Sequence, residues 1–408
     1  MNLNLDNIKI AVIGLGYVGL PLAVEFSKKY QTIGFDIDVN RVEELRNTID
    51  RKNVLPDFSI DSNSKLSLSS YKQDLENCHI YIITVPTPIN NYNKPDLSQL
   101  ILASETVAKS LRKGNIVVYE STVYPGCTED DCVSVLEKES GLKFNIDFFC
   151  GYSPERINPG DKSRKLTDIV KITSGSTPDV ANFIDNLYKS IIPAGTYRTS
   201  SIKIAEAAKL IENCQRDINI SFVNELVLIF DKMGISTKEV LEAAKTKWNF
   251  LDFRPGLVGG HCIGVDPYYL IHQSEKFGYT PQLTTAGRMV NNTMPIYVAN
   301  CIIKKLVVQK TDINATKCLI LGFSYKPNTS DFRNTKVVDI YHELKSFGLM
   351  VDIFDPLVNI DEVKKEYAVQ LLENLCIDEY QIVLKLVDHT IFQDLKHHNI
   401  ISLEDIFG

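Results

Sequence analysis

Lys9-Ile10-Ala11-Val12-Ile13-Gly14-Leu15-Gly16-Tyr17-Val18-Gly19 is a short β-rich run that breaks into three glycines spaced G-x-G-x-x-G. The segment after it, Leu20 to Lys29, reads as a helix, and Gln31 to Asp36 reads as a second strand. A strand, a glycine turn and a helix in that order form a cradle for a dinucleotide pyrophosphate. Gly14 allows the tight turn, Gly16 lets backbone approach the phosphates and Gly19 lets helix pack closely on strand. The free N–H groups and the dipole at the helix start favour an anion. Asp36 ends the second strand, where a carboxylate accepts hydrogen bonds from a ribose diol and repels a 2′-phosphate. NAD is therefore preferred over NADP. The bland alternative is a glycine turn in a domain that binds FAD or nothing.

Outward from this turn the alternation continues. Ile80 to Val85 is a third apolar run, closed by Pro86-Thr87-Pro88. Helix-like Leu97 to Leu111 precedes Ile116 to Tyr119, which Glu120-Ser121-Thr122 closes. Strands alternating with helices imply a mostly parallel sheet covered on both faces. Ligands of such sheets bind beyond the carboxyl ends of the strands. Both closing segments fall there, although each also reads as an ordinary turn. Ser201 to Met233 lacks glycine and proline and carries Ile204, Ala208, Ile211, Ile218, Phe222, Leu226 and Ile229 at helical spacing. One long helix is the simplest reading, able to bridge two lobes and supply a dimer surface. Helical pattern runs on to about Leu306, interrupted by a glycine-rich loop from Gly256 to Gly264. Lys317 to Gly322, Thr335 to Gly348, Val351 to Phe354 and Ile382 to Val387 then read as strand, helix, strand, strand. The expected fold is α/β: two Rossmann-like domains, residues 1–200 and 313–408, joined by a helical domain, 201–312, with one long central helix.

The chain has 408 residues, enough for two or three domains, and 44% of them are hydrophobic. A net charge of -7 argues against a general nucleic-acid binder, which needs a basic face to displace counterions. Met1 to Asn7 shows no basic segment leading into an apolar core, and the apolar stretch Ile8 to Phe26 is rich in glycine and contains Pro21. A secretory signal and a membrane span are not expected, and a cytosolic location is. The nine cysteines are scattered with no CxxC pair, so neither a disulfide framework nor a metal site is expected.

The chemistry-bearing residues cluster in four places. Cys262 lies in Gly259-Gly260-His261-Cys262-Ile263-Gly264-Val265-Asp266. Glycines around it leave the backbone uncrowded, and Asp266 can act as a base or orient water. Cys262 is thus either a thiolate nucleophile or a buried cysteine in a glycine loop. Lys209 and Asn213, four residues apart, share one face of the long helix. They either stabilise an oxyanion or are a solvated lysine and an interior amide. Ser153-Pro154-Glu155-Arg156-Ile157-Asn158-Pro159-Gly160 packs acid, base and amide into a proline-bounded loop, where Glu155 serves either as general base or in a surface salt bridge. Lys326 and Arg333 follow the first strand of the second α/β unit and either bind phosphate or are solvated.

In this order the motifs resemble those of the UDP-glucose/GDP-mannose dehydrogenases, which oxidise a nucleotide sugar at C6 from alcohol to carboxylate. Gly14 to Pro21, Val85 to Pro88, Glu120 to Thr122, Ser153 to Glu155, Ala208 to Asn213, Gly259 to Cys262 and Gly322 to Lys326 carry the likeness. Gly151 to Gly160, Lys247 to Phe250 and Phe253 to Gly256 resemble enzymes acting on UDP-N-acetylglucosamine or UDP-N-acetylgalactosamine in surface-polysaccharide (capsule or O-antigen) pathways. Enzymes for UDP-N-acetylmannosamine and UDP-glucose are the alternatives, and a nucleotide-sugar-binding regulator is the non-enzymatic one. The resemblance implies a homodimer and a UDP-sugar substrate. It implies that NAD is held by Gly14, Gly16, Tyr17, Val18, Gly19, Asp36, Arg41, Val85, Pro86, Thr87, Ser121, Thr122 and Arg333. It implies that the sugar nucleotide is held by Glu155, Arg156, Lys209, Asn213, Arg254, Gly259 and Lys326. Cys262 would attack an aldehyde, Lys209 and Asn213 would steady oxyanions, and Thr122 and Asp266 would hold water. Glu155 or Asp266 would activate the water that hydrolyses a thioester. Cys214 stands where relatives carry threonine. The last segment, Ile401 to Gly408, lacks the family's aspartate-lysine element, which predicts an atypical final strand.

Overall fold

The computed structural model describes residues 5–50, 55, 58–59, 64–157 and 164–408. Residues 1–4 of the amino-terminal segment and 158–160 of the proline-bounded loop lie outside the described residues. The chain forms two compact units, one of Met1–Glu212 with Tyr268–Phe277, the other of Asn213–Pro267 with Gly278–Gly408.

The first unit is built on eight strands: β1 (Lys9–Ile13), β2 (Gln31–Phe35), β3 (Leu66–Ser69), β4 (Ile80–Ile83), β5 (Ile116–Tyr119), β6 (Phe149–Tyr152), β7 (Lys171–Gly175) and β8 (Thr196–Arg198). Their spatial order is β3-β2-β1-β4-β5-β6-β7-β8, parallel throughout except where β6 meets β7. The order of the first six is that of a dinucleotide fold, whose direction of winding reverses between β1 and β4. Strands at the centre are buried on both faces and so read as unbroken apolar runs, as in the fully buried Ile80–Ile83 and Ile116–Tyr119. Helices α1 (Gly19–Ser27), α2 (Val39–Arg46), α3 (Ser98–Ala108), α4 (Val133–Ser140) and α5 (Pro178–Lys189) cover the sheet. Thr177 starts α5 by accepting a hydrogen bond from the Val180 N–H, with Pro178 in the first turn where its missing N–H costs nothing. Phe26 of α1 and Tyr188 of α5 meet edge to face at 5.5 Å in the core.

Helix α6 (Ile202–Met233) runs unbroken for 32 residues, as the absence of glycine and proline predicts. Its apolar positions divide. Ala205, Leu210, Val223 and Val227 are buried, whereas Ile204, Ile211, Phe222 and Ile229 are exposed.

The second unit contains α7 (Thr237–Lys245), the start of α8 (Asp266–Lys276) and α9 (Gln282–Val308). A smaller α/β layer follows: β9 (Lys317–Leu321), α10 (Val337–Ser346), β10 (Met350–Phe354), α11 (Ile360–Tyr367), β11 (Ile382–Lys385), β12 (Ile400–Ser402) and α12 (Leu403–Phe407). The strand order is β10-β9-β11-β12, all parallel. The final strand is only three residues long and passes straight into α12, which Ser402 and Asp405 close with a reciprocal capping box. Among the described residues no helix is long and apolar enough to cross a membrane.

Candidate active site

The glycine turn sits at the reversal point of the first sheet. Gly14 has φ +95°, a left-handed conformation that a side chain would strain. A Cβ on Gly19 would lie 1.8 Å from the Gly14 carbonyl oxygen and 2.4 Å from Thr84 Oγ1. A Cβ on Gly16 would meet nothing within 4 Å. Two glycines are therefore fixed by the protein's own packing, and the third leaves open space beside the start of α1. That is the space a pyrophosphate needs, so these residues fit NAD. Tyr17 and Val18 complete the turn, and Val18 precedes α1 without a side-chain cap, which leaves the helix start to backbone donors.

Asp36 receives the Leu15 N–H at 2.8 Å and the Asp38 N–H at 3.0 Å. It thereby stiffens the turn as well as ending β2. Arg41 also reaches this turn. It is buried, donates to the Leu15 carbonyl at 3.1 Å and pairs with Asp50 at 2.7 Å, bracing the turn from behind. The ends of β4 and β5 are tied together. Ser121 Oγ donates to the Val85 carbonyl at 2.6 Å, and Thr87 Oγ1 donates to the Thr122 carbonyl at 2.7 Å. Tyr269 OH donates to the carbonyls of Thr87 and Pro88, fixing the Pro86-containing turn. Glu206, buried on α6 three residues before Lys209, accepts the N–H groups of Gly126 at 2.6 Å and Thr128 at 2.9 Å. Burial raises its carboxyl, against the pull of these donors.

Glu155 is not in a surface salt bridge. Its Oε1 accepts the Arg156 and Ile157 N–H groups, both at 2.7 Å, and its Oε2 meets Lys171 Nζ at 3.0 Å. Lys171 also meets Glu120 Oε2 at 2.7 Å, and Tyr188 OH donates to Glu120 Oε1. Burial pushes the Glu120 carboxyl up to about 7 against the pull of Lys171, with Glu155 adding to the rise. Burial by itself lowers the Lys171 ammonium, but the two carboxylates outweigh it and hold Lys171 above its ordinary value. The neighbouring Arg156 pairs with Glu212 at 2.8 Å.

In the second unit Asn213 Nδ2 donates to Asp266 Oδ2 at 2.6 Å, and the Asp266 N–H donates to the Cys262 carbonyl at 2.9 Å. Two residues singled out from sequence, Asn213 and Asp266, are thus joined side chain to side chain, and a backbone turn bond ties Cys262 to Asp266 in the first turn of α8. Lys209 and Asn213 are both buried in α6. Cys214 is buried beside them. Cys262 is partly exposed. Gly259 and Gly260 have a reason other than access to Cys262. A Cβ on Gly259 would come 2.7 Å from the Asn334 carbonyl oxygen, and one on Gly260, which has φ +78°, would come 2.8 Å from the Tyr325 ring. The loop is pressed against its neighbours, and only glycine fits.

The same loop is clamped at its start. Asn224, fully buried on α6, donates to the Gly256 carbonyl at 3.0 Å and accepts the Gly256 N–H at 2.9 Å. Asn224 also donates to Asn291 at 2.8 Å, Asn291 donates to Asp217 at 2.7 Å, and Asp217 pairs with Arg288 at 2.6 Å. Sequence reading missed this chain and the Lys171 cluster. The available signal for the chain was a polar residue inside an otherwise apolar pattern, Asn224 amid α6, whereas Lys171, heading the mostly polar strand Lys171-Ile172-Thr173-Ser174-Gly175, carried none.

Beyond the carboxyl ends of β9, β11 and β12 lies a cavity of about 420 Å³, lined in part by Gly259, Lys326, Lys336, Lys385 and Asp388. Lys326 extends over the Tyr325 ring at 5.3 Å. His389 fixes the Lys326 loop. Its Nδ1 accepts the Asn328 N–H at 2.8 Å, so a neutral ring carries its proton on Nε2 and donates it to Asp355 at 3.1 Å. Burial by itself raises Asp355, but the His389 bond and the Phe323 N–H hold it below the usual carboxylate range. Arg333 and Arg254 are both ion-paired while about a third exposed. Arg333 folds onto Asp331, with bonds of 2.5 and 2.9 Å, and Arg254 pairs with Glu242 and Asp252.

Three regions match the domains of one family: its NAD-binding domain over residues 8–192, its central domain over 203–293 and its UDP-binding domain over 319–404. The chain belongs to the UDP-glucose/GDP-mannose dehydrogenase family. It is 51% identical over 399 residues to the UDP-N-acetyl-D-glucosamine 6-dehydrogenase of Pseudomonas aeruginosa, covering 98% of this chain and 94% of that one. It is 52% identical over 396 residues to the Salmonella typhi protein of the same name, covering 97% and 93%. Among solved structures, a UDP-D-ManNAc dehydrogenase from Pyrococcus horikoshii superposes with a TM-score of 0.86 at 29% identity, covering 98% and 96%. This family member is an NAD-dependent oxidoreductase of nucleotide sugars, with a UDP-sugar as substrate.

Proposed function

We propose that the enzyme oxidises C6 of a UDP-N-acetylhexosamine, UDP-N-acetylglucosamine or its 4-epimer, from alcohol to carboxylate through a covalent bond to Cys262. The product would serve as a surface-polysaccharide precursor. The observation that carries this is the bond from the Asn213 amide to the Asp266 carboxylate, four residues along the chain from the partly exposed Cys262. The names of the 51% and 52% identical relatives favour N-acetylglucosamine. NAD would be held by the Gly14–Gly19 turn and Asp36 and would supply the hydride acceptor for both oxidations.

The chain's own residues do the rest. Thr122 and Asp266 hold the water that takes the alcohol proton, assisted by the Lys209 ammonium. Cys262 adds to the aldehyde and gives a thiohemiacetal, then a thioester after the second oxidation. Lys209 and Asn213 donate to the oxyanion at each tetrahedral stage. Glu155 takes a proton from the water that releases the uronate. Lys326, with Lys336 and Lys385 in the same cavity, suits the diphosphate, since ammonium groups are effective point charges for phosphate. Arg333 and Arg254, each about a third exposed, are held by carboxylate partners that orient their guanidinium groups. The exposed row Ile204, Ile211, Phe222 and Ile229 on α6 supports a homodimer, because a soluble monomer rarely leaves such a row in water.

The test is NAD⁺ reduction across a panel of UDP-hexoses and UDP-N-acetylhexosamines, with product counted. Two NADH per uronate, and arrest of Cys262→Ser before the second, are expected. One NADH per product in the wild type sinks the thioester route.

A further inference from the structure

We propose that Lys171 is a positioning residue for the hydrolytic step: its buried ammonium bridges Glu120 and Glu155 and orients the Glu155 carboxylate. This rests on Glu155 being the base that activates water.

The geometry is a short chain of groups. Tyr188 OH donates to one oxygen of Glu120, Lys171 bridges the other oxygen at 2.7 Å, and the same ammonium reaches Glu155 at 3.0 Å. Exposure is graded along it: Tyr188 0%, Glu120 1%, Lys171 2% and Glu155 9%. Glu155 is the member nearest solvent. Its Oε1 is held by two backbone N–H groups, which use both of its lone pairs, and its Oε2 by Lys171, so its plane is fixed and Oε2 keeps one lone pair for water. The groups facing the cluster come from several elements: Glu120 after β5, Lys171 on β7, Tyr188 on α5, and the Arg156–Glu212 pair between the Glu155 loop and α6.

Structure alone does not call for such a cluster. A buried ion triad gains little over apolar residues of the same volume, because desolvation offsets the attraction. Two carboxylates and one ammonium leave an excess negative charge, and that charge has somewhere to go only if one carboxyl can hold a proton. Glu120, the deeper of the two, is the one that does. Lys171 then faces Glu155 as its counter-ion.

The experiment is the pH dependence of kcat from pH 5 to 9 for wild type, Lys171→Met, Lys171→Arg, Glu120→Gln and Glu155→Gln. Removing a counter-ion in contact raises a carboxyl by roughly one to three units. Lys171→Met is therefore expected to move the acid limb up by at least one unit while KM for the UDP-sugar stays within about twofold. Lys171→Arg, which keeps charge and donors, is expected to bring the limb back. Glu120→Gln, a neutral stand-in for the protonated Glu120, is expected to leave the limb at its wild-type position, and Lys171→Gln serves if Lys171→Met does not fold. Glu155→Gln separates the two claims. If it keeps the wild-type acid limb, Glu155 is not the base. If it abolishes the limb while Lys171→Met, or Lys171→Gln in its place, leaves its limb unmoved, the assignment to Lys171 is overturned.

Discussion

Gly19→Ala tests how the cofactor cradle is built. The added Cβ would sit 1.8 Å from the Gly14 carbonyl oxygen and 2.4 Å from Thr84 Oγ1. Ordinary contact is about 3.4 Å, so α1 must retreat by roughly 1.5 Å or the turn must deform. Either movement strains the bond from Thr84 Oγ1 to the Gly14 carbonyl, now 2.8 Å, and the Asp36-held turn around Leu15. Overpacking of this kind costs about 1–3 kcal/mol. At about 1.4 kcal/mol per tenfold, that is roughly a 5- to 150-fold loss if it falls on NADH binding. The assay is NADH binding by calorimetry, with thermal unfolding in parallel. Gly16→Ala is the control, because its Cβ meets no protein atom; it should keep the wild-type unfolding temperature and still lose affinity. Wild-type NADH affinity in Gly19→Ala, at an unchanged unfolding temperature, would refute the packing argument.

Asn224→Ala removes both bonds to Gly256 and one to Asn291, leaving buried groups without partners at about 1–3 kcal/mol each before relaxation. A fall of several degrees in unfolding temperature with a lower kcat is expected, checked by calorimetry and steady-state kinetics. His389→Phe frees the Lys326 loop from its latch at Asn328 and should raise KM for the UDP-sugar about tenfold with a smaller change in kcat. Glu120 is raised in the folded state to about 7, so its stabilising contribution is full below its unfolded value and is lost as pH rises through 7. Glu120→Gln should therefore gain on the wild type in unfolding temperature between pH 5 and 8, and a gap constant with pH would contradict this. Phe222→Glu places a charge in the exposed row of α6 and should convert a dimer to monomer by light scattering.

The first half of the fold was legible because its signals are local. β1, the glycine turn and β2 fall where the pattern puts them, and α6 follows from a long stretch free of breakers. β6 and β8 were not legible: one is four residues with an internal glycine, the other three residues at a sheet edge. Short strands depend on neighbours for their hydrogen bonds, and a single sequence does not record its neighbours.

The sequence by itself determined the chemistry on offer: a dinucleotide cradle, a cysteine in a glycine loop, and a lysine and an amide one helical turn apart. These depend on residue type and spacing along the chain. Only the tertiary structure decided which groups meet. It joined Asn213 to Asp266 across 53 positions, set Lys171 between Glu120 and Glu155, and turned Arg41 inward as a brace. It also gave Gly259 and Gly260 their reason, the Asn334 carbonyl and the Tyr325 ring pressed against them. A buried charge must find its counter-charge wherever the fold brings one close, and that proximity depends on how the elements pack, not on their spacing along the chain.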